Sequence, residues 1–286
     1  MSLMEIRELR HVYSEGTPFE KTAVDGLSLR IEENQITGLI GHTGSGKSTL
    51  IQHLNALLKP SGGTVLLHGE DIFASKENKR RARFRVGLVF QYPEYQLFDE
   101  TVYADIAFGP KNQKLSEEEV DRRVRQAAAF VGLDESLFQL SPLDLSGGQK
   151  RRAAIAGVLA MEPELLILDE PGAGLDPAGR QELFAKLFSW QKAQKTAILL
   201  VTHDMDTAAQ CDRLFVLEQG RIAMEGTPSE IFSRPEELRR LGLDLPESAQ
   251  IALLLRNAGF PIPPVYTLDD LQSAVLALWE KGGARC

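Results

Sequence analysis

Cysteine is nearly absent: Cys211 and Cys286 are the two in 286 residues, and they lie far apart. That excludes a disulfide framework and suits the cytosol. Also missing is any uninterrupted apolar stretch near the ~20 residues that crossing a bilayer requires, so work for a membrane would be done from its aqueous side. The start, MSLMEIRELR, lacks the apolar centre of a signal peptide. Basic residues are in deficit, 32 against 40 acidic, for a net charge of -8. An acidic surface repels phosphodiester backbones, so nucleic acid is not the expected partner. The one dense basic run, KENKRRARFR at 76–85, reads as a solvated face. Internal repeats and low-complexity tracts are lacking too. What remains is an ordinary apolar content and enough length for a large core.

Two kinds of strand pattern are present. MEIRELRHVY, AVDGLSLRIE and GGTVLLHG alternate, as half-buried antiparallel strands do. ITGLIG (36–41), VGLVF (86–90), LLILDE (165–170) and AILLVTHD (197–204) do not alternate. Strands apolar on both faces belong to a mostly parallel sheet covered by helices. Helices are predicted over KSTLIQHLNALL, over SEEEVDRRVRQAAAFVG with Ser116 and Glu119 as a capping box, and over GGQKRRAAIAGVLAM. The body to about residue 228 is therefore an α/β domain with an antiparallel attachment, and 229–286 is a helical extension. In that extension Leu268, Leu271, Val275 and Leu278 recur at helical spacing. Such a stripe packs either on its own body or on another subunit.

GHTGSGKST fits G-x-x-x-x-G-K-[ST] between a buried strand and a helix. Gly41, His42, Thr43, Gly44, Ser45, Gly46, Lys47, Ser48 and Thr49 form this stretch. Its glycines let successive backbone N–H groups converge on a β-phosphate, and the helix start adds its dipole. Lys47 reaches the β and γ oxygens, and the Ser48 hydroxyl ligates Mg²⁺. Asp169, at the end of LLILDE, can hold that Mg²⁺ through water. Glu170 follows at the same sheet edge, placed to accept a proton from water attacking the γ-phosphate.

LSGGQKRR at 145–152 narrows the class, since Leu-Ser-Gly-Gly-Gln arises by accident in on the order of one chain in several thousand. With these residues, the chain resembles an ATP-binding-cassette (ABC) nucleotide-binding subunit over about 4–228. The resemblance implies a P-loop NTPase fold: a mostly parallel core sheet, an N-terminal antiparallel β-subdomain, a helical signature subdomain over about 92–162 and a small helical C-terminal extension. It implies ATP and Mg²⁺ as cofactors. Tyr13 matches the aromatic that stacks on adenine, and Gln91 the glutamine that touches Mg²⁺ or the attacking water. Ser146, Gly147, Gly148 and Gln149 match the signature, Asp176 lies in GLDP, and His203 is the switch histidine. A signature opening a helix is a second anion site, so two chains head to tail would sandwich each nucleotide. One departure is Gly172 in DEPGAGLDP, where the family often has Thr or Ser; the missing hydroxyl would loosen the loop that crosses between subunits.

VFQYPEYQLF at 89–98, followed by ETVYADIAFGPKN, matches neither a helical nor a strand period. It is similar to the ATPases of energy-coupling-factor transporters, importers of vitamins and transition-metal ions. By that resemblance it is a groove wall for cytoplasmic helices of a transmembrane scaffold subunit. That scaffold in turn carries a separate substrate-binding membrane subunit, placing the chain at the cytoplasmic membrane face. Tyr92, Tyr95, Leu97 and Phe98 would grip, and Glu94 and Glu100 would attract incoming arginines. A loop packed on its own domain is the other reading. GTPFEKTAVDG at 16–26 is similar to one of two paralogous ATPases, which implies a heterodimer with a relative, a homodimer staying open. Two other readings compete: the ATPase of an ordinary ABC importer, and a soluble ABC ATPase acting on DNA or ribosomes. The latter expects a coiled-coil insertion, and no sustained heptads occur between Lys47 and Ser146.

Overall fold

The computed structural model describes residues 2–283; Met1 and 284–286, including Cys286, lie outside the described residues. In chain order the elements are β1 (Ser2–Tyr13), β2 (Lys21–Glu32), β3 (Ile36–Ile40), α1 (Lys47–Leu54), β4 (Gly62–Leu67), β5 (Glu70–Asp71), α2 (Lys76–Arg85), β6 (Val86–Val89), α3 (Val102–Asn112), α4 (Glu117–Val131), α5 (Gly147–Leu159), β7 (Leu165–Asp169), α6 (Pro177–Gln194), β8 (Ala197–Val201), α7 (Met205–Ala208), β9 (Arg213–Glu218), β10 (Arg221–Gly226), α8 (Pro228–Phe232), α9 (Pro235–Arg240), α10 (Glu247–Asn257) and α11 (Leu268–Gly283).

The alternating strands form an antiparallel sheet in the order β2-β1-β4-β5. The non-alternating ones lie side by side as β3-β8-β7-β6 in a six-stranded sheet of order β10-β9-β3-β8-β7-β6, in which β3, β6, β7, β8 and β9 run parallel. Every residue of β3, β6, β7 and β8 is buried, which is why their sequences show no polar face. Successive side chains still point to opposite sides. Leu165 and Ile167 of β7 join a core shared with the antiparallel sheet and α1, including Met4, Ile6, Ile31 and Leu50. Leu166 and Leu168 join the opposite core, where Ile106, Val124, Ile155 and Phe184 come from α3 to α6. Each fully buried side chain of this kind contributes roughly 1.5–3 kcal/mol. The central sheet is thereby held from both faces.

Several expectations change in detail. The first helix ends at Leu54, not Leu58, because Ala56 takes a left-handed backbone with φ 55°. The expected capping box at Ser116 is half formed: its Oγ accepts from the Glu119 N–H at 3.3 Å. The Glu119 carboxylate instead pairs with Arg122 and Arg123, each at 2.7 Å, because two guanidiniums outcompete one backbone N–H. The basic run does form an exposed helix, α2. Strands β9 and β10 carried no sequence expectation.

The extension divides. Ile231, Phe232, Leu238, Leu243, Leu245 and Ala249 are buried in the main core, so the body's packing continues past residue 228. Beyond them α10 and α11 close a small core of Ala252, Ile262, Val265 and Leu271, with Leu278 half-buried against it. The α11 stripe therefore packs on its own body only in part, since Leu268 and Val275 stay exposed.

Candidate nucleotide site

Parallel strands bring their carboxyl ends to one edge, where open α/β sheets bind ligands. Gly41 follows β3, Gln91 follows β6, Asp169 ends β7 with Glu170 just after it, and His203 follows β8.

The 41–49 loop needs its glycines for space and for conformation. Gly41 has φ 153°, and a Cβ there would collide with the Leu217 carbonyl oxygen. Gly46 has φ 108°, and its Cβ would lie 2.5 Å from the Ala23 oxygen. Gly44 (φ 85°) has nothing within 4 Å of that position, so its rim is open. The Lys47 ammonium curls back to donate to the Gly41 oxygen at 2.6 Å and the His42 oxygen at 3.0 Å. The Ser45 hydroxyl is buried with no hydrogen-bond partner, an unusual cost for a native polar group. An open glycine rim, an orphaned hydroxyl and a lysine folded onto its own loop all fit a polyphosphate. His42 is held at 2.8 Å from Glu218.

Burial pushes the Lys47 ammonium below its usual range, while the negative Glu170 and Asp169 oppose that shift. Burial, joined by the charge of Glu170 and opposed by Lys47, pushes the Asp169 carboxyl up to about 6. Two carboxylates crowded at one strand end want a cation between them and an anion. Among the described residues no group of three His, Cys, Asp or Glu side chains is arranged to hold a metal. A Mg²⁺ here would take Ser48, Gln91 and Asp169 together with phosphate oxygens, as that ion ordinarily does.

Glu170 takes a left-handed backbone with φ 49°, rare for a residue with a side chain. Its N–H donates to the Val201 oxygen at 2.9 Å, and its carboxylate meets His203 Nδ1 at 2.8 Å. The next turn is fixed by Arg151, whose Nη1 donates to the Ala173 oxygen at 2.7 Å. A Cβ on Gly172 would lie 3.1 Å from Arg180 Cγ, and Arg180 is paired with Asp204 at 2.9 Å. A Cβ there would crowd that arginine, and within the chain the turn is closed by the Ala173 N–H donating to the Glu170 oxygen at 3.0 Å.

Ser146 and Gln149 form a reciprocal capping box at the start of α5. A Cβ on Gly147 would meet nothing within 4 Å, which leaves the helix start uncovered. Asp176 caps α6 by accepting from the Gly179 N–H at 2.7 Å. Among the described residues, Gln91, Ser146, Gly147, Gly148, Gln149 and Asp176 make no hydrogen bond or ion pair with the 41–49 loop; the candidate site is assembled in one chain only in part.

Behind the loop lies a buried histidine pair that sequence reasoning missed. His53 Nδ1–H donates to the Thr49 oxygen at 2.7 Å, and its Nε2 sits 3.1 Å from His11 Nδ1. The His11 ring is edge-on to Tyr13 at 4.5 Å, and the Tyr13 hydroxyl lies 3.2 Å from Thr49 Oγ1. Tyr13, the adenine-facing candidate, is thus braced against α1. Burial, with a smaller push from His11, takes His53 down to about 4. Above pH ~6.5 the ring is neutral folded or unfolded; as pH falls the unfolded chain gains the proton first, so stability drops by up to about 3 kcal/mol between ~6.5 and ~4. Urea unfolding at about pH 7 and about pH 5 should show about 2 kcal/mol of that loss, and His53→Gln should shrink it.

In the 92–98 segment, Tyr92, Tyr95 and Phe98 are exposed, Tyr95 by 84%. Leu97 is not: it packs against the helical core, because the segment's backbone turns it inward. Glu94 also departs from expectation, lying 3.5 Å from the buried Arg151 of α5. Arg151 therefore joins this segment to the loop after Glu170.

A family model described as ABC transporter matches residues 24–173. The chain belongs to the ABC transporter family. Among curated relatives, the energy-coupling factor transporter ATP-binding protein EcfA2 of Caldanaerobacter subterraneus subsp. tengcongensis is 48% identical over 275 residues, covering 96% of both chains. EcfA2 of Symbiobacterium thermophilum is 51% identical over 267 residues, covering 93% of this chain and 92% of the relative. Membership extends to this energy-coupling factor branch of ABC ATPases. The structure of cbiO1 from Clostridium perfringens, part of the ABC transporter complex cbiONQ, is 40% identical with a TM-score of 0.74, covering 89% of this chain and 99% of that one. The ATP-binding cassette MJ0796, solved as a dimer bound to ADP and Pi, is 25% identical with a TM-score of 0.71, covering 79% and 98%. ATP binding and ATP hydrolysis are the activities of this ABC family. No helix among the described residues is long and apolar enough to cross a membrane.

Proposed function

We propose that this chain is the ATP-hydrolysing subunit of an energy-coupling-factor importer, working at the cytoplasmic face of the membrane. Near-full-length identity to EcfA2 proteins is the observation that carries this reading. Two ATPase subunits pair head to tail, this chain with a paralogue. Lys47 and the backbone of 41–49 cradle the phosphates of ATP, and Tyr13 stacks on the base. Ser48, Gln91 and Asp169 hold Mg²⁺. Glu170, oriented by His203, takes the proton of the attacking water; the partner's signature, equivalent to Ser146 to Gln149, covers the γ-phosphate. Asp176 lies at the crossing loop.

The groove wall of Tyr92, Tyr95 and Phe98 takes cytoplasmic helices of a transmembrane scaffold, and through it serves a substrate-binding membrane subunit. Glu100 remains an acidic contact for that scaffold; Glu94 serves inside the chain instead. Its contact with Arg151 links the groove to the loop beside Glu170. Tyr95→Ala combined with Phe98→Ala should lower capture of the scaffold at least tenfold, since two exposed aromatic anchors typically exceed ~1.4 kcal/mol. Basal ATP hydrolysis should be unchanged. Co-purification equal to wild type would remove the groove assignment.

A further inference from the structure

One cluster of charge is not absorbed by ATP chemistry. Helix α2 carries Lys76, Lys79, Arg80, Arg81, Arg83 and Arg85 against Glu77, in a chain whose net charge is -8. Two of these cations are neutralised locally, Arg81 by Glu70 and Arg85 by Glu164. The others have no carboxylate partner among the described residues. Lys79 lies over the Phe73 ring at 5.7 Å and Arg80 over Phe84 at 5.6 Å, while Arg80 and Arg83 each donate to a backbone carbonyl.

These four surround a hollow of about 590 Å³ whose other walls are Phe84, Phe108 and Asn112, with no acidic residue in its lining. Phe108 touches Phe98 edge-on at 4.9 Å, so the hollow continues from the groove wall proposed above. An apolar floor with a cationic rim matches an anionic amphiphile. Charge separates the two available kinds of occupant. Cytoplasmic loops of membrane proteins carry an excess of Lys and Arg, which the α2 cations repel and Glu100 attracts. The cytoplasmic leaflet is anionic, and basic side chains near it are attracted individually.

We propose that the α2 face, Lys76, Lys79, Arg80 and Arg83 over Phe84 and Phe108, rests on anionic phospholipid headgroups beside the scaffold. This rests on the transporter reading for its orientation. It supplies a second contact with the membrane that the overall negative charge would otherwise oppose, and it sets how the groove is presented to the scaffold.

The test is flotation of the full-length chain with phosphatidylcholine vesicles, with and without phosphatidylglycerol. Wild type should bind the phosphatidylglycerol vesicles and release as salt rises. Lys76→Glu, Lys79→Glu and Arg80→Glu combined should weaken that binding by on the order of 100-fold or more, with Lys76→Gln, Lys79→Gln and Arg80→Gln intermediate and ATP hydrolysis of both at wild-type level. Equal binding by wild type and the Glu variant, equal binding to both vesicle types, or no wild-type binding would each overturn the proposal. So would loss of scaffold capture in lipid-free detergent with vesicle binding intact, which would make the occupant an acidic protein segment. A wild-type chain that bound these vesicles yet hydrolysed no ATP when paired with its paralogue would strike the transporter reading and leave the lipid contact standing.

Discussion

Glu170→Gln should bind ATP as well as the wild type and turn it over at least 100-fold more slowly. The amide keeps the shape of the side chain and its contact with His203, now 2.8 Å from the carboxylate, but it cannot take a proton from water. General-base catalysis typically supplies 10²- to 10⁴-fold, which sets the size of the loss. Burial is the chief cause that pushes Asp169 up to about 6, and removing the neighbouring Glu170 charge takes away the smaller push that adds to it. Nucleotide affinity should therefore hold or rise, and the paired form should accumulate with ATP. Steady-state phosphate release near the wild-type rate would remove Glu170 as the base.

Ser146→Arg should act on the other half of the sandwich. Ser146 caps α5 through a box with Gln149, and its helix start is uncovered in the single chain. The long side chain places a cation near the partner's γ-phosphate but blocks the close approach of the two subunits. Nucleotide binding by one chain should survive, because the 41–49 loop is built without α5. ATP-dependent pairing should disappear, and hydrolysis should fall by 100-fold or more, in line with the loss of positioned transition-state contacts. Losing a cap costs ~1 kcal/mol of stability, far too little to unfold a domain of this size. Hydrolysis that survived the substitution would place the signature away from the reaction.

The two sheets were legible in the sequence because burial leaves opposite marks on them. β1 and β2 alternate since one face meets a core, and β3, β7 and β8 do not since both faces do. The cradle was legible because backbone approach tolerates so few residue types at Gly41 and Gly46. Contacts that depend on distant partners were not. Nothing around Glu94 announces that it would meet Arg151, and Leu97 reads the same whether it faces in or out. Glu119 could not be seen to prefer two arginines over Ser116. The His11 and His53 pair joins a strand to a helix whose separation only the fold removes; the sole signal was two histidines flanking the adenine and phosphate motifs. Gly172 reads as a missing hydroxyl, and nothing in the sequence places Arg180 beside it.

Closure of ATP between two cassettes underlies every role assigned above, and the trapped Glu170→Gln assembly tests it most directly. In its ATP-bound structure, the Ser146 hydroxyl of one subunit should lie within hydrogen-bond distance of the γ-phosphate cradled by Lys47 of the other, at ~2.7–3.2 Å. A γ-phosphate contacted by residues of one chain alone, with Ser146 far from it, would contradict that closure.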